Sequence, residues 1–277
     1  MTADWQWDET LFEGTATYYR QGRLPYAPGL VTALAEALHL DGRGRLLDVG
    51  CGPGTLALEL AEHFAEVVGV DPDAGMIAEA ERRTTELEST GRSRWVRARA
   101  EQLPDDLGAF TVTVFGQSFH WMDRPLVATV MRTLLRPGGA LVHLSDLKSE
   151  PRPTEGLPHP PVPQSAIADL VRSRLGPIRR AGQGFLPHGT PGNEAAVLTA
   201  AGFTGPQRLV VPGGHPLTRT TDEVVAGVLS LSSSAPHLFG PHLAAFETDL
   251  RRLLHDTSPT GLFAERLPST EVFLWRR

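Results

Sequence analysis

An α/β fold built on a doubly wound, mostly parallel sheet is predicted for this chain by three observations. Apolar strand-like runs alternate with helically spaced segments from residue 45 to residue 144. A glycine-rich loop, Gly50-Cys51-Gly52-Pro53-Gly54, follows the first run, Leu46-Leu47-Asp48-Val49. A second run, Val67-Val68-Gly69-Val70, ends on the carboxylate of Asp71, about one βαβ unit downstream.

The elements follow in order. Strands are expected at residues 45–49, 66–70, 94–97, 110–115 and 140–144, and helices at 55–63, 74–85 and 126–135. The carboxyl ends of the strands then open on one crevice, where open sheets bind their ligands. Before the sheet, residues 11–19 and 28–40 have helical spacing, separated by Arg20-Gln21-Gly22-Arg23-Leu24-Pro25-Tyr26. From 150 to 164 prolines recur too often for helix or strand. The glycine and proline punctuation then runs on to Gly192 around one helical piece, 165–175. Further elements are expected as helices at 194–200, 222–231 and 242–254 and strands at 208–211 and 271–275. The chain divides into an N-terminal helical lid (1–40), a cofactor-binding core (41–147), a proline- and glycine-rich cap insertion (148–193) and a C-terminal part that completes the sheet (194–277), all within one domain.

The composition is that of a globular protein, with 41% hydrophobic and 21% charged residues. No window has the long apolar run of a membrane helix, and the N-terminus is acidic where a signal peptide would be basic, so a cytoplasmic protein with no membrane partner is expected. The net charge of −6 and the lack of a Lys/Arg stripe argue against nucleic acid. Cys51 is the one cysteine, which excludes an internal disulfide and a cysteine-rich zinc site. No histidine pair has zinc-ligand spacing, and no metal is expected. The positive charge is nearly all arginine; Lys148 is the one lysine.

The loop chemistry separates the cofactor candidates. A dinucleotide fingerprint needs a third glycine where Thr55 stands and places no carboxylate where Asp48 stands. A carboxylate repels a pyrophosphate, whereas S-adenosylmethionine carries an ammonium, a sulfonium and no phosphate. The motif Asp48-Val49-Gly50-Cys51-Gly52-Pro53-Gly54 resembles the first motif of the class I S-adenosylmethionine-dependent methyltransferases. Asp71-Pro72 with Met76-Ile77 looks like their ribose-binding motif, Ala98-Arg99-Ala100-Glu101-Gln102-Leu103-Pro104 like their adenine loop, and Leu134-Leu135-Arg136-Pro137-Gly138-Gly139 like the turn into strand five. Ser118-Phe119-His120-Trp121 is similar to a small-molecule subgroup that includes trans-aconitate methyltransferase.

The resemblance implies a Rossmann-like sheet of seven strands with an antiparallel C-terminal strand, S-adenosylmethionine as cofactor and S-adenosylhomocysteine as product. It also implies a small-molecule acceptor, with specialised metabolism suggested by the subgroup. It assigns cofactor contacts to Asp48, Gly50, Cys51, Gly52, Gly54, Asp71, Pro72, Met76, Ala100, Glu101, Gln117 and Ser118. The family often has an aspartate where Arg99 stands, so adenine is left to Glu101 or to backbone groups around Ala100. His120 is the candidate general base, or a substrate contact. Tyr18, Tyr19, Tyr26, Arg23 and Trp121 are candidates for binding substrate, Arg23 for an anionic acceptor. His143 is expected to be structural, and His188, His215 and His237 to lie in loops. The alternatives are a protein that keeps the cofactor site without methyl transfer, an RNA or protein methyltransferase, and a nicotinamide-dependent oxidoreductase. Either a monomer or a homodimer is compatible with the sequence.

Overall fold

The computed structural model describes residues 8–87, 92–103, 105–147, 150, 153–177 and 192–277. In chain order the elements are α1 (Ala16–Gly22), α2 (Leu30–Leu38), β1 (Arg45–Val49), α3 (Thr55–Leu60), β2 (Glu66–Asp71), α4 (Ala74–Glu86), β3 (Ser93–Arg97), β4 (Phe110–Gly116), α5 (Arg124–Leu134) and β5 (Leu135–Asp146). They continue as α6 (Gln164–Leu175), α7 (Glu194–Ala200), β6 (Thr204–Val211), β7 (Pro216–Thr220), α8 (Thr221–Leu229), α9 (Pro236–Phe239), α10 (Leu243–Thr257), β8 (Leu262–Arg266) and β9 (Thr270–Arg276).

Seven strands form one sheet in the order β3-β2-β1-β4-β5-β9-β6. The pairs from β3 to β5 are parallel, and β9 runs antiparallel to both neighbours. The order reverses between β1 and β4, so the crevice opens beyond the carboxyl ends of these two strands. The central strands are apolar because helices cover both faces. One face packs Leu47, Val49, Phe115 and Trp275 under α5 and α7; the other packs Leu46, Val112, Val114 and Leu274 under α2 and α3. A third apolar cluster lies apart from the sheet and joins α6, α8, α9 and α10 through Ile167, Val224, Phe239, Phe246 and Leu250.

Three expectations are corrected. The first helix was expected at 11–19, yet residues 9–14 are turns and α1 begins at Ala16. Gly14 takes φ +76, and the Thr15 hydroxyl donates to the Phe12 carbonyl, which closes a turn ahead of the helix. The strand expected at 140 starts at Leu135, whose register opposite Phe110 is followed by an irregularity before Val112. A two-stranded sheet, β7 with β8, was not expected at all. Together with α6, α8, α9 and α10 it makes a cap drawn from both the 148–193 insertion and the C-terminal part, tied by a bridge from Pro161 to Ala264. His188 and much of the insertion lie outside the described residues. Among the described residues no helix is long and apolar enough to cross a membrane, and no group of three or more His, Cys, Asp or Glu is placed to hold a metal ion.

Candidate functional site

The loop after β1 turns back on the sheet at once. The Gly50 and Cys51 amides donate to the Val70 carbonyl at 2.8 and 3.0 Å, and Gly54 donates to Cys51 at 3.0 Å. Gly50 and Gly54 need their missing side chains. Both have positive φ, and a Cβ would lie 2.6 Å from the Ser118 Cβ at Gly50 and 2.4 Å from the Trp95 ring at Gly54. Asp71, at the end of β2, pins the loop from the other side. Its Oδ2 accepts the Gly52 amide and its Oδ1 the Asp73 amide, each at 2.9 Å. Asp73 in turn caps α4 by accepting the Met76 amide at 2.9 Å.

Burial sets the charge state of these carboxylates. Asp48 is 1% exposed, and its Oδ2 has no hydrogen-bond partner. Desolvation raises its pKa to about 7 against the Ala57 backbone hydrogen bond, with the Asp71 charge adding to the rise. Desolvation likewise raises Asp71 to about 6, opposed by the Asp73 and Gly52 amides. The Tyr26 hydroxyl is held neutral, first by burial and then by Tyr19, Asp48 and Asp146. Burial also pushes the Cys51 thiol up, so it is no ready nucleophile.

Two cavities meet at this crevice. A narrow one of about 70 Å³ is lined by Asp71, Pro72, Met76, Ala100, Glu101 and Ser118. Gly52, Trp121, Phe12 and Glu9 also face it, while Cys51 faces the larger cavity. That larger cavity, of about 770 Å³, lies under the cap, with Ile167, Val171, Val224 and Val228 among its apolar walls. Tyr19, Gly50, Gly116 and Gln117 line both, so these four residues mark the passage between them.

The remaining candidates divide. Tyr26, Arg23 and Asp48 border the larger cavity. Tyr18 packs into the third apolar cluster instead, and His120 lines neither cavity; its ring lies 4.6 Å from that of Trp121. Gly54 packs on Trp95 and shapes the loop from behind. The Ser118 carbonyl is taken by the Trp121 amide at 3.0 Å and its hydroxyl donates to the Val49 carbonyl. Glu101 accepts the Asp123 amide at 2.9 Å. Arg23 donates to the Ser230 carbonyl at 2.9 Å and lies over the Tyr19 ring, 4.8 Å from its centre.

Sequence patterns did not mark Phe12, Asp146, Arg219 or Glu265. Arg219 is 7% exposed, pairs with Glu265 at 2.9 Å, and donates to the Gly22 carbonyl at 2.6 Å and to that of Glu223. Asp146 ends β5 and accepts from Gln117 Nε2 at 3.1 Å. Its place at the carboxyl end of a parallel strand is the signal that marks it. Arg219 and Glu265 sit on strands that pair non-locally, and no local pattern exposes them.

Residues 46–139 match the methyltransferase domain family. That span, about a third of the chain, is similar to methyltransferase domains. Over 128 residues the chain is 27% identical to a probable S-adenosylmethionine-dependent methyltransferase of Saccharomyces cerevisiae, covering 45% of this chain and 43% of that one. Over 138 residues it is 32% identical to an uncharacterised methyltransferase of Mycobacterium bovis, covering 48% and 51%. The chain thus spans about half the length of these curated relatives. Among solved structures, a [4+2]-cyclase superposes with a TM-score of 0.53 at 21% identity, covering 90% of this chain and 80% of that one; this is a likeness of fold. The matched span holds both the glycine loop and Asp71, and the seven-stranded, mostly parallel sheet around it is Rossmann-like.

Proposed function

We propose that the protein transfers a methyl group from S-adenosylmethionine to a small-molecule acceptor held under the cap. The observation that carries this is the junction of two cavities at the glycine loop, one bordered by Asp71 and one broad enough for an organic acceptor. Volumes of about 300–1,000 Å³ are usual for such ligands.

The residues fit the cofactor. A Cβ at Gly52 would have no atom nearer than 4.0 Å, which leaves room for the backbone to approach a ligand, and the Asp71 carboxylate would accept ribose hydroxyls. The buried, unpartnered Oδ2 of Asp48 suits a cationic group. When bound, S-adenosylmethionine supplies a methyl already activated by positive sulfur. The protein is left to align an acceptor and to exclude water. Tyr19 and Gln117 border the passage where the acceptor meets the methyl, and the apolar residues of α6 and α8 favour an acceptor with a substantial apolar body. His120 is not given the role of base, because it lies outside both cavities.

Calorimetry tests the reading. S-adenosylmethionine and S-adenosylhomocysteine should bind with micromolar dissociation constants, about −8 kcal/mol, and Asp71→Ala should abolish measurable heat while keeping the fold. Absence of binding by the native protein would refute the proposal.

A further inference from the structure

The arginines on the wall of the larger cavity differ in what holds them. Arg219, on β7, pairs with Glu265 and donates to the Gly22 and Glu223 carbonyls. Arg172, on α6, pairs with Asp169. Arg23, just past the end of α1, has no carboxylate partner among the described residues. Its Nη2 donates to the Ser230 carbonyl at 2.9 Å, and its guanidinium lies over the Tyr19 ring, 4.8 Å from the centre. Its Nε is buried and has no hydrogen-bond partner.

Net charge does not distinguish this wall, because among the described residues Asp48, Asp146 and Glu265 match the three arginines in number. The carboxylates are placed elsewhere, however. Glu265 is held by Arg219, Asp146 accepts from Gln117, and Asp48 lies at the glycine loop, where its Oδ2 suits the cationic group of the cofactor. What draws an anion to Arg23 is therefore local. A guanidinium N–H that has left water without gaining an acceptor is an unmet donor. An anionic oxygen set against that guanidinium forms a charge-assisted hydrogen bond, stronger where water is partly excluded than at an open surface.

The place of Arg23 relates this donor to both compartments. Tyr19, whose ring it covers, is one of the four residues common to the two cavities. Ile167, Val171, Val224 and Val228 supply apolar wall in the larger one.

We infer that Arg23 docks a carboxylate of the acceptor, so that the protein takes an apolar carboxylic acid as its anion, held at one end by the guanidinium and along its body by α6 and α8. This rests on the methyltransferase reading and names its acceptor class. Arg23 acts as a binding residue and moves no proton.

The test uses octanoate and octanamide, equal in chain length and different in charge, titrated calorimetrically into the full chain with S-adenosylhomocysteine present. The native protein should bind octanoate about tenfold more tightly than octanamide. Arg23→Gln should remove that preference while octanamide still binds, which shows that the cavity is kept. Arg23→Met, which retains the apolar stem over Tyr19 without the charge, gives the same comparison on a second variant. Arg172→Gln should leave the preference in place. No saturable octanoate binding by the native protein, equal affinity for the two probes, a preference that survives loss of the Arg23 charge, or one lost in Arg172→Gln would each overturn the inference. S-adenosylhomocysteine calorimetry on the native protein separates the two levels. If that ligand binds and the octanoate arm fails, only the docking at Arg23 falls; if it does not bind, the methyltransferase reading falls.

Discussion

Asp48 carries its charge at a cost to the empty protein. Its pKa rises from an ordinary value near 4 to about 7 because burial disfavours the carboxylate. Between those values the folded chain binds a proton that the unfolded chain has lost. The stability linked to that proton is fully present below the unfolded value and is lost as pH rises through the folded one. Asp71, raised to about 6, acts in the same direction. Between pH 5 and pH 8 the Asp48 contribution amounts to about 3 kcal/mol. Thermal melts without ligand should therefore fall over this window, and Asp48→Asn should flatten most of the fall while weakening S-adenosylhomocysteine binding. A native melting temperature independent of pH from 5 to 8 would contradict this. At this scale the sequence was informative: the glycines, Asp48 and Asp71 lie within a continuous motif whose spacing alone brings them together. For His120 the sequence could not show its direction, because the turn at residues 119–121 directs Trp121, and not its neighbour, to the narrow cavity.

Among the elements, α1 is bound to the cap more closely than a loose lid would be. A Cβ on Gly22 would lie 2.3 Å from the Ala226 carbonyl carbon, and one on Gly227 would lie 2.9 Å from the Gly22 oxygen, so the two backbones touch. Gly22→Ala should force them apart at a cost of about 1–3 kcal/mol, read as a lower denaturation midpoint. The Arg219–Glu265 pair fastens the same contact, with side chains 9% and 14% exposed. Arg219→Ala leaves the largely covered Glu265 carboxylate unpaired and should cost up to about 3 kcal/mol, whereas Arg219→Met with Glu265→Gln should recover most of it. Urea unfolding of the single and double variants checks both numbers. The central strands were legible because runs such as Val67-Val68-Gly69-Val70 are apolar enough to be covered on both faces. The β7–β8 pair was not. Its strands have five residues each, one opens on Pro216, and they pair across α8, α9 and α10, so their identity rests on partners that no local window contains.

For the molecule as a whole, the N-terminal segment belongs to both halves. Phe12 meets Trp121 edge-on at 5.4 Å beside the narrow cavity, Gly14 and Glu13 lean on α9 through Pro236 and His237, and Tyr19 faces both cavities. At about 70 Å³ the narrow cavity is well below the size of a nucleoside site, and on the proposed reading residues 8–23, which line it through Glu9, Phe12 and Tyr19, would shift for the cofactor to enter. Amide exchange across 8–23 should slow on adding S-adenosylhomocysteine, and Gly22→Ala should reduce that protection; equal exchange with and without the ligand would rule the movement out. Because Gly22 and Gly227 join this segment to the cap, one body closes both compartments. On the proposed reading, spent donor and finished product would leave through a single opening event. A time course should then show a first turnover faster than those that follow, and a course linear from the start would contradict this.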